Sequence, residues 1–114
     1  MVAEETEKSI ARLQMLEQNL QMLASQRQSC QLQISEIENA VKELNKTKEQ
    51  AFKIIGNLMI ASNPKELEKE LESKKEVLTI RITSLEKQET QLRKKAEELQ
   101  KEVMSSLQNK KGGA

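Results

Sequence analysis

From Leu13 onward the apolar residues of this chain fall on a strict three-four rhythm. Leu13, Leu20, Arg27, Ile34 and Val41 recur every seven residues, and Leu16, Leu23, Cys30, Ile37 and Leu44 fall between them. Taking Leu13 as heptad position a, the second set stands at d. A repeat of 3.5 residues is the seam of a coiled coil, narrower than the stripe of an ordinary globular helix. Sustained over more than four heptads, it commits this half of the chain to one long helix that must lie against another.

The second half supplies the partner. Leu71, Leu78, Leu85, Leu92 and Leu99 recur every seven residues, with Ile82, Ala96 and Val103 at the alternate positions and Lys75 and Glu89 as polar interruptions. Glu70 with Lys74, Glu89 with Arg93 and Glu97 with Lys101 stand in the acidic-first i,i+4 order that suits a solvated helix face. The runs Lys65–Glu72 and Lys94–Glu98 read as solvated faces of the same kind. Pairing the tracts antiparallel sets Arg27 and Glu89 in the same or neighbouring layers, so these two are expected close together across the seam.

Between the tracts the pattern changes. Phe52-Lys-Ile-Ile-Gly-Asn-Leu-Met-Ile60 is rich in strand formers and is broken by Gly56-Asn57, a reasonable two-residue turn of the II′ kind. Ser62-Asn-Pro-Lys-Glu66 then reads as a helix start: Asn63 can cap, Pro64 suits the first helical position, and Glu66 can reach back as in a capping box. The expected order is one domain over residues 1–114, with a helix over 6–50, a β-hairpin over 51–61, a helix over 64–109 and a disordered tail over 110–114. Each helical tract spans about 45 residues, roughly 65 Å at 1.5 Å per residue. The fold class is mostly α, a long antiparallel two-helix coiled coil joined by a short β-hairpin.

With a two-residue turn, Lys53, Ile55, Leu58 and Ile60 point to one face and Phe52, Ile54, Met59 and Ala61 to the other. Both faces are mostly apolar, whereas a solvated hairpin alternates. A lone two-stranded hairpin is marginal in water and its edges invite pairing. The hairpins of several chains are therefore expected to join into a shared sheet or barrel, with Phe52, Ile54, Ile55, Leu58, Met59 and Ile60 as the oligomer interface. The helical arms would project from it, and their free ends carry Ile10, Leu13, Met15, Met22, Leu99, Val103, Met104 and Leu107. Met15 and Met22 lie seven apart and off the seam. Unbranched thioethers repack easily against many apolar partners.

Composition narrows the function. Charged residues make up 32% of the chain, which fits a coiled coil. Nineteen Lys and Arg against eighteen Asp and Glu leave no basic surplus for nucleic acid. With one Phe and no Trp or Tyr, there is no platform on which bases could stack. No His is present and Cys30 is the only cysteine, so no zinc site and no intrachain disulfide can form. Cys30 at a d position reads as a small core residue. No Gly-rich phosphate loop accompanies these absences, and no enzymatic activity, cofactor or metal is expected. No secretory signal and no membrane span is expected, and the chain reads as a soluble cytoplasmic protein.

A Gln-rich first helix (Gln14, Gln18, Gln21, Gln26, Gln28), the segment Phe52–Ile60 and the stretch Lys87-Gln-Glu-Thr-Gln-Leu-Arg93 together resemble the β-type subunit of prefoldin, in its archaeal form. The hairpin segment is the most specific of the three. Phe52 stands where Tyr is expected, which keeps the aromatic character. The resemblance implies a hexamer of two α-type and four β-type subunits, in which the hairpins build a β-barrel platform. It implies capture of unfolded polypeptides at the coiled-coil tips without ATP and transfer to a group II chaperonin. A single short hairpin fits the β type, since α-type chains carry two. The residue pattern alone leaves a rival open, a structural coiled-coil spacer or tether that binds no clients.

Overall fold

The computed structural model describes residues 4–46, 51–55 and 58–112. Helix α1 runs Glu4–Lys46, strand β1 Ala51–Ile55, strand β2 Leu58–Ser62 and helix α2 Pro64–Gly112. Nothing interrupts α1, which contains neither Gly nor Pro. Glu4, Glu5 and Glu7 in its first turn and Lys46 in its last complement the helix dipole. The helix begins two residues ahead of the expected position 6, and the expected end at residue 50 lies outside the described residues.

The start of α2 follows the sequence signals. Asn63 Oδ1 accepts the Lys65 N–H at 3.0 Å, and the Asn63 carbonyl accepts the Leu67 N–H at 3.0 Å. Pro64 takes the first helical position, where its missing N–H costs nothing. At the other end α2 continues to Gly112, three residues past the expected boundary. Lys110 and Lys111 favour the negative end of a helix, and no helix breaker intervenes before Gly112. The expected disordered tail over 110–114 is therefore helical in its first three residues, and the remainder lies outside the described residues.

The strands form a two-stranded antiparallel sheet in which Phe52 faces Ala61, Lys53 faces Ile60, Ile54 faces Met59 and Ile55 faces Leu58. That register leaves two residues for the connection. The turn type expected at Gly56-Asn57 lies outside the described residues.

The chain divides into two compact units, Met1–Gln26 with Ser84–Ala114, and Arg27–Thr83. In the Arg27–Thr83 unit the chain reverses through the hairpin, so its α1 and α2 segments run antiparallel. Cys30 and Ile37 are buried, and Arg27, Ile34, Val41 and Leu44 of α1 and Leu71, Lys75, Leu78 and Ile82 of α2 are half-buried. All are seam positions of the heptad reading. The polar interruption at Lys75 resolves into an ion pair, its Nζ lying 3.4 Å from Glu38 Oε1 on α1. Both side chains of that pair remain partly open to solvent.

In the unit carrying both chain ends, Leu85, Glu89 and Val103 of α2 and Thr6 of α1 are buried, while Leu13, Leu16, Leu20, Leu23, Leu92, Ala96 and Leu99 are half-buried. Thr6 lies seven residues ahead of Leu13, so the seam extends one heptad further toward the N-terminus than its apolar residues announce. Glu89 occupies a core position, with Arg93 Nη2 3.9 Å from its Oε2. Every expected seam residue in both units is at least half-buried.

Candidate functional site

The hairpin turns its described side chains to two faces. Strand side chains alternate, and Phe52 pairs with Ala61, so Phe52, Ala61 and Met59 share one face. Phe52 is 60% exposed and Met59 66% exposed, an unusual state for the only ring in the chain and its thioether neighbour. Lys53 points the other way, where its Nζ donates to Glu70 Oε2 of α2 at 2.6 Å. This contact ties the hairpin to the first turns of α2 and leaves the Phe52–Met59 face open. Glu70, which also stands in the acidic-first order with Lys74, is thus engaged across the hairpin. The side chains of Ile54, Ile55, Leu58 and Ile60, expected at the same interface, lie outside those described.

The second cluster lies in the unit carrying the chain ends. Met15, Met22 and Met104 stand 64%, 59% and 53% exposed, all off the seam. Ile10, Leu13, Leu99 and Leu107 are half-buried, each offering an edge to solvent. Val103 is buried, since its heptad position turns it into the seam; among the expected contact residues it is the one withdrawn from the surface. Met15 and Leu16 of α1 and Leu99 of α2 share a shallow groove rimmed by Arg12, Lys95, Glu98 and Glu102. Met104 borders a second shallow groove with Gln100, Lys101 and Ser105. Both have apolar floors and charged rims of both signs, a surface for side chains to settle on rather than a pocket that encloses a substrate.

Sequence reasoning passed over the exposed apolar residues Leu32, Val77 and Ile80. They lie off the seam, and their only signal is position: the heptad register turns each away from the partner helix. The Lys53–Glu70 contact was also not anticipated, because 17 residues and a chain reversal separate its partners. Among the described residues no group of three His, Cys, Asp or Glu is placed to hold a metal ion, and no helix is long and apolar enough to cross a membrane.

Comparison with known proteins agrees with this arrangement. Residues 7–110 match the family described as prefoldin subunit. The prefoldin subunit beta of Archaeoglobus fulgidus is 33% identical over 105 residues, covering 90% of each chain. Its counterpart from Saccharolobus islandicus is also 33% identical over 105 residues, covering 90% of this chain and 83% of that one. The crystal structure of the prefoldin beta subunit from Thermococcus strain KS-1 superposes with a TM-score of 0.85 at 28% identity, covering 94% of this chain and 96% of that one. Heptad seams, a single hairpin and likeness along nearly the whole length thus converge, and the chain belongs to the prefoldin family as a β-type subunit.

Proposed function

We propose that the chain captures unfolded polypeptides on the exposed methionine surface of the unit carrying its ends, while assembling with other subunits through the Phe52–Met59 face of its hairpin. As a prefoldin β-type subunit it is a non-catalytic, ATP-independent chaperone component that binds unfolded clients and delivers them to chaperonins. The finer assignments are our reading. The assembly is a hexamer of two α-type and four β-type subunits, joined by hairpins closing into a β-barrel platform. It works in the cytoplasm and transfers clients to a group II chaperonin.

The observation that carries the client assignment is the exposure of Met15, Met22 and Met104 together in one unit. A thioether is apolar, polarizable and free of branching, so it adapts to side chains of many shapes. Promiscuous binding needs such repacking more than it needs a shaped pocket. Ile10, Leu13, Leu99 and Leu107 add apolar edges, and Val103 is buried in the seam. For assembly, the support is the open ring of Phe52 beside Met59 on a sheet of only two strands, which is marginal until its edges are paired.

Light scattering from a dilution-denatured model protein tests the reading, with this chain alone and then assembled with an α-type partner, in the absence of nucleotide. The reading expects stoichiometric suppression by the assembly. Unchanged scattering in the presence of a well-formed assembly leaves the structural spacer in its place.

A further inference from the structure

The two units differ in the chemistry of their exposed apolar side chains. In the unit Arg27–Thr83 the large exposed apolar residues, among those described, are Leu32, Phe52, Met59, Val77 and Ile80, a mixture of types. In the unit carrying the chain ends, among the described residues, they are Met15, Met22 and Met104, every one a methionine. The rest of the chain's readily oxidised inventory is small: there is no Trp and no Tyr, and the one thiol, Cys30, is buried at 4% exposure. Mild oxidants acting on the folded chain therefore meet thioethers first, and on this unit they meet them at every large exposed apolar side chain among the described residues.

We infer that Met15, Met22 and Met104 are redox-controlled modification sites, at which a peroxide converts exposed client-binding side chains from apolar to polar and so switches capture off. The sulfur lone pair attacks one peroxide oxygen and the O–O bond breaks. Sulfur gains that oxygen in a two-electron oxidation, and the peroxide is reduced to water. The product, methionine sulfoxide, is a strong hydrogen-bond acceptor that prefers water to an apolar client. The change is reversible: a sulfoxide reductase returns the oxygen as water while a dithiol is oxidised to a disulfide. Leucine or isoleucine at the same places would bind clients without this susceptibility, so the choice of methionine gives the surface a switch as well as adaptability. This inference rests on the reading of that unit as the client surface. Met59 differs in kind, because assembly through the hairpins covers it.

The test uses the full assembly with its α-type partner. Hydrogen peroxide is added, sulfoxides are mapped by peptide mass spectrometry, and suppression of scattering is measured before oxidation, after it, and after repair by a methionine sulfoxide reductase. Each modified methionine gains about 16 Da. The expected order is Met15, Met22 and Met104 ahead of Met59. The concentration giving half-suppression should then rise at least about tenfold, the loss expected from a single covered thioether, and return on repair. A Met15→Leu, Met22→Leu, Met104→Leu assembly should keep the same half-suppression concentration before and after peroxide, whatever its starting value. Full sulfoxide at the three positions with unchanged suppression overturns the inference, as does an equal loss in the leucine variant. An untreated assembly that suppresses nothing overturns the proposed function itself and this inference with it.

Discussion

Replacing Phe52 and Met59 together by alanine removes the open face of the hairpin without touching a seam residue. The two side chains are 60% and 66% exposed. On side chains of about 200 Å² that leaves roughly 120–130 Å² each to be covered by a neighbouring subunit. At about 25 cal/mol per Å² full coverage contributes roughly 3 kcal/mol per residue, an upper bound. Alanine retains part of that area, and coverage at a subunit boundary is incomplete. The double substitution should therefore cost about 3 kcal/mol per subunit contact, on the order of a hundredfold in the assembly constant. Sedimentation velocity over a dilution series, with and without the α-type partner, reads that shift directly. Far-ultraviolet circular dichroism should be unchanged, because the seam is left whole. An assembly midpoint that does not move, in a chain that remains helical, would mean that this face is not buried between subunits and would refute the reasoning.

Three further outcomes follow from the packing. Leu85→Ala removes a buried seam side chain and should cost about 2–4 kcal/mol in urea unfolding, whereas Val77→Ala, 65% exposed, should change stability by less than about 0.5 kcal/mol. A double-mutant cycle on Lys53 and Glu70 should give a coupling of about 0.5 kcal/mol that shrinks with salt, since the glutamate side chain is half exposed despite the 2.6 Å contact; a coupling independent of salt would contradict an ion pair open to solvent. Cys30 should resist an aromatic disulfide reagent in the folded chain and react at once in denaturant, and rapid native labelling would show that its place in the seam is wrong.

Most of the helical architecture was legible because a seam is a one-dimensional code. Side chains that repeat every 3.5 residues must share a face, so Leu13 to Leu44 and Leu71 to Val103 announced their burial without any knowledge of what they pack against. Glu89 was readable for the same reason: it holds a core position by count, and it is buried. The code fails where the core residue is polar and nothing apolar flags it, as with Thr6, found only by counting seven back from Leu13. Helix ends are less legible. The Lys110–Lys111 pair looked like the start of a loose tail, yet charge favourable to a helix terminus carries α2 to Gly112. For the site, off-seam position identified Met15 and Met22 as outward residues, while Met104 and Val103 were grouped with them by proximity to the chain end; Met104 is exposed, but the register of Val103 turns it inward. The Lys53–Glu70 contact depends on how the hairpin leans on α2, which no local pattern encodes.

The most direct test of client capture is nucleotide-free suppression of scattering by assemblies carrying Met15→Gln, Met22→Gln and Met104→Gln, set beside assemblies carrying Val77→Gln and Ile80→Gln. Glutamine keeps the length and helix propensity of methionine while removing its apolar character. The account predicts a normal assembly mass in both and a half-suppression concentration raised at least about tenfold in the first alone. Equal suppression by the two assemblies would contradict it, and would move client binding away from the methionine surface.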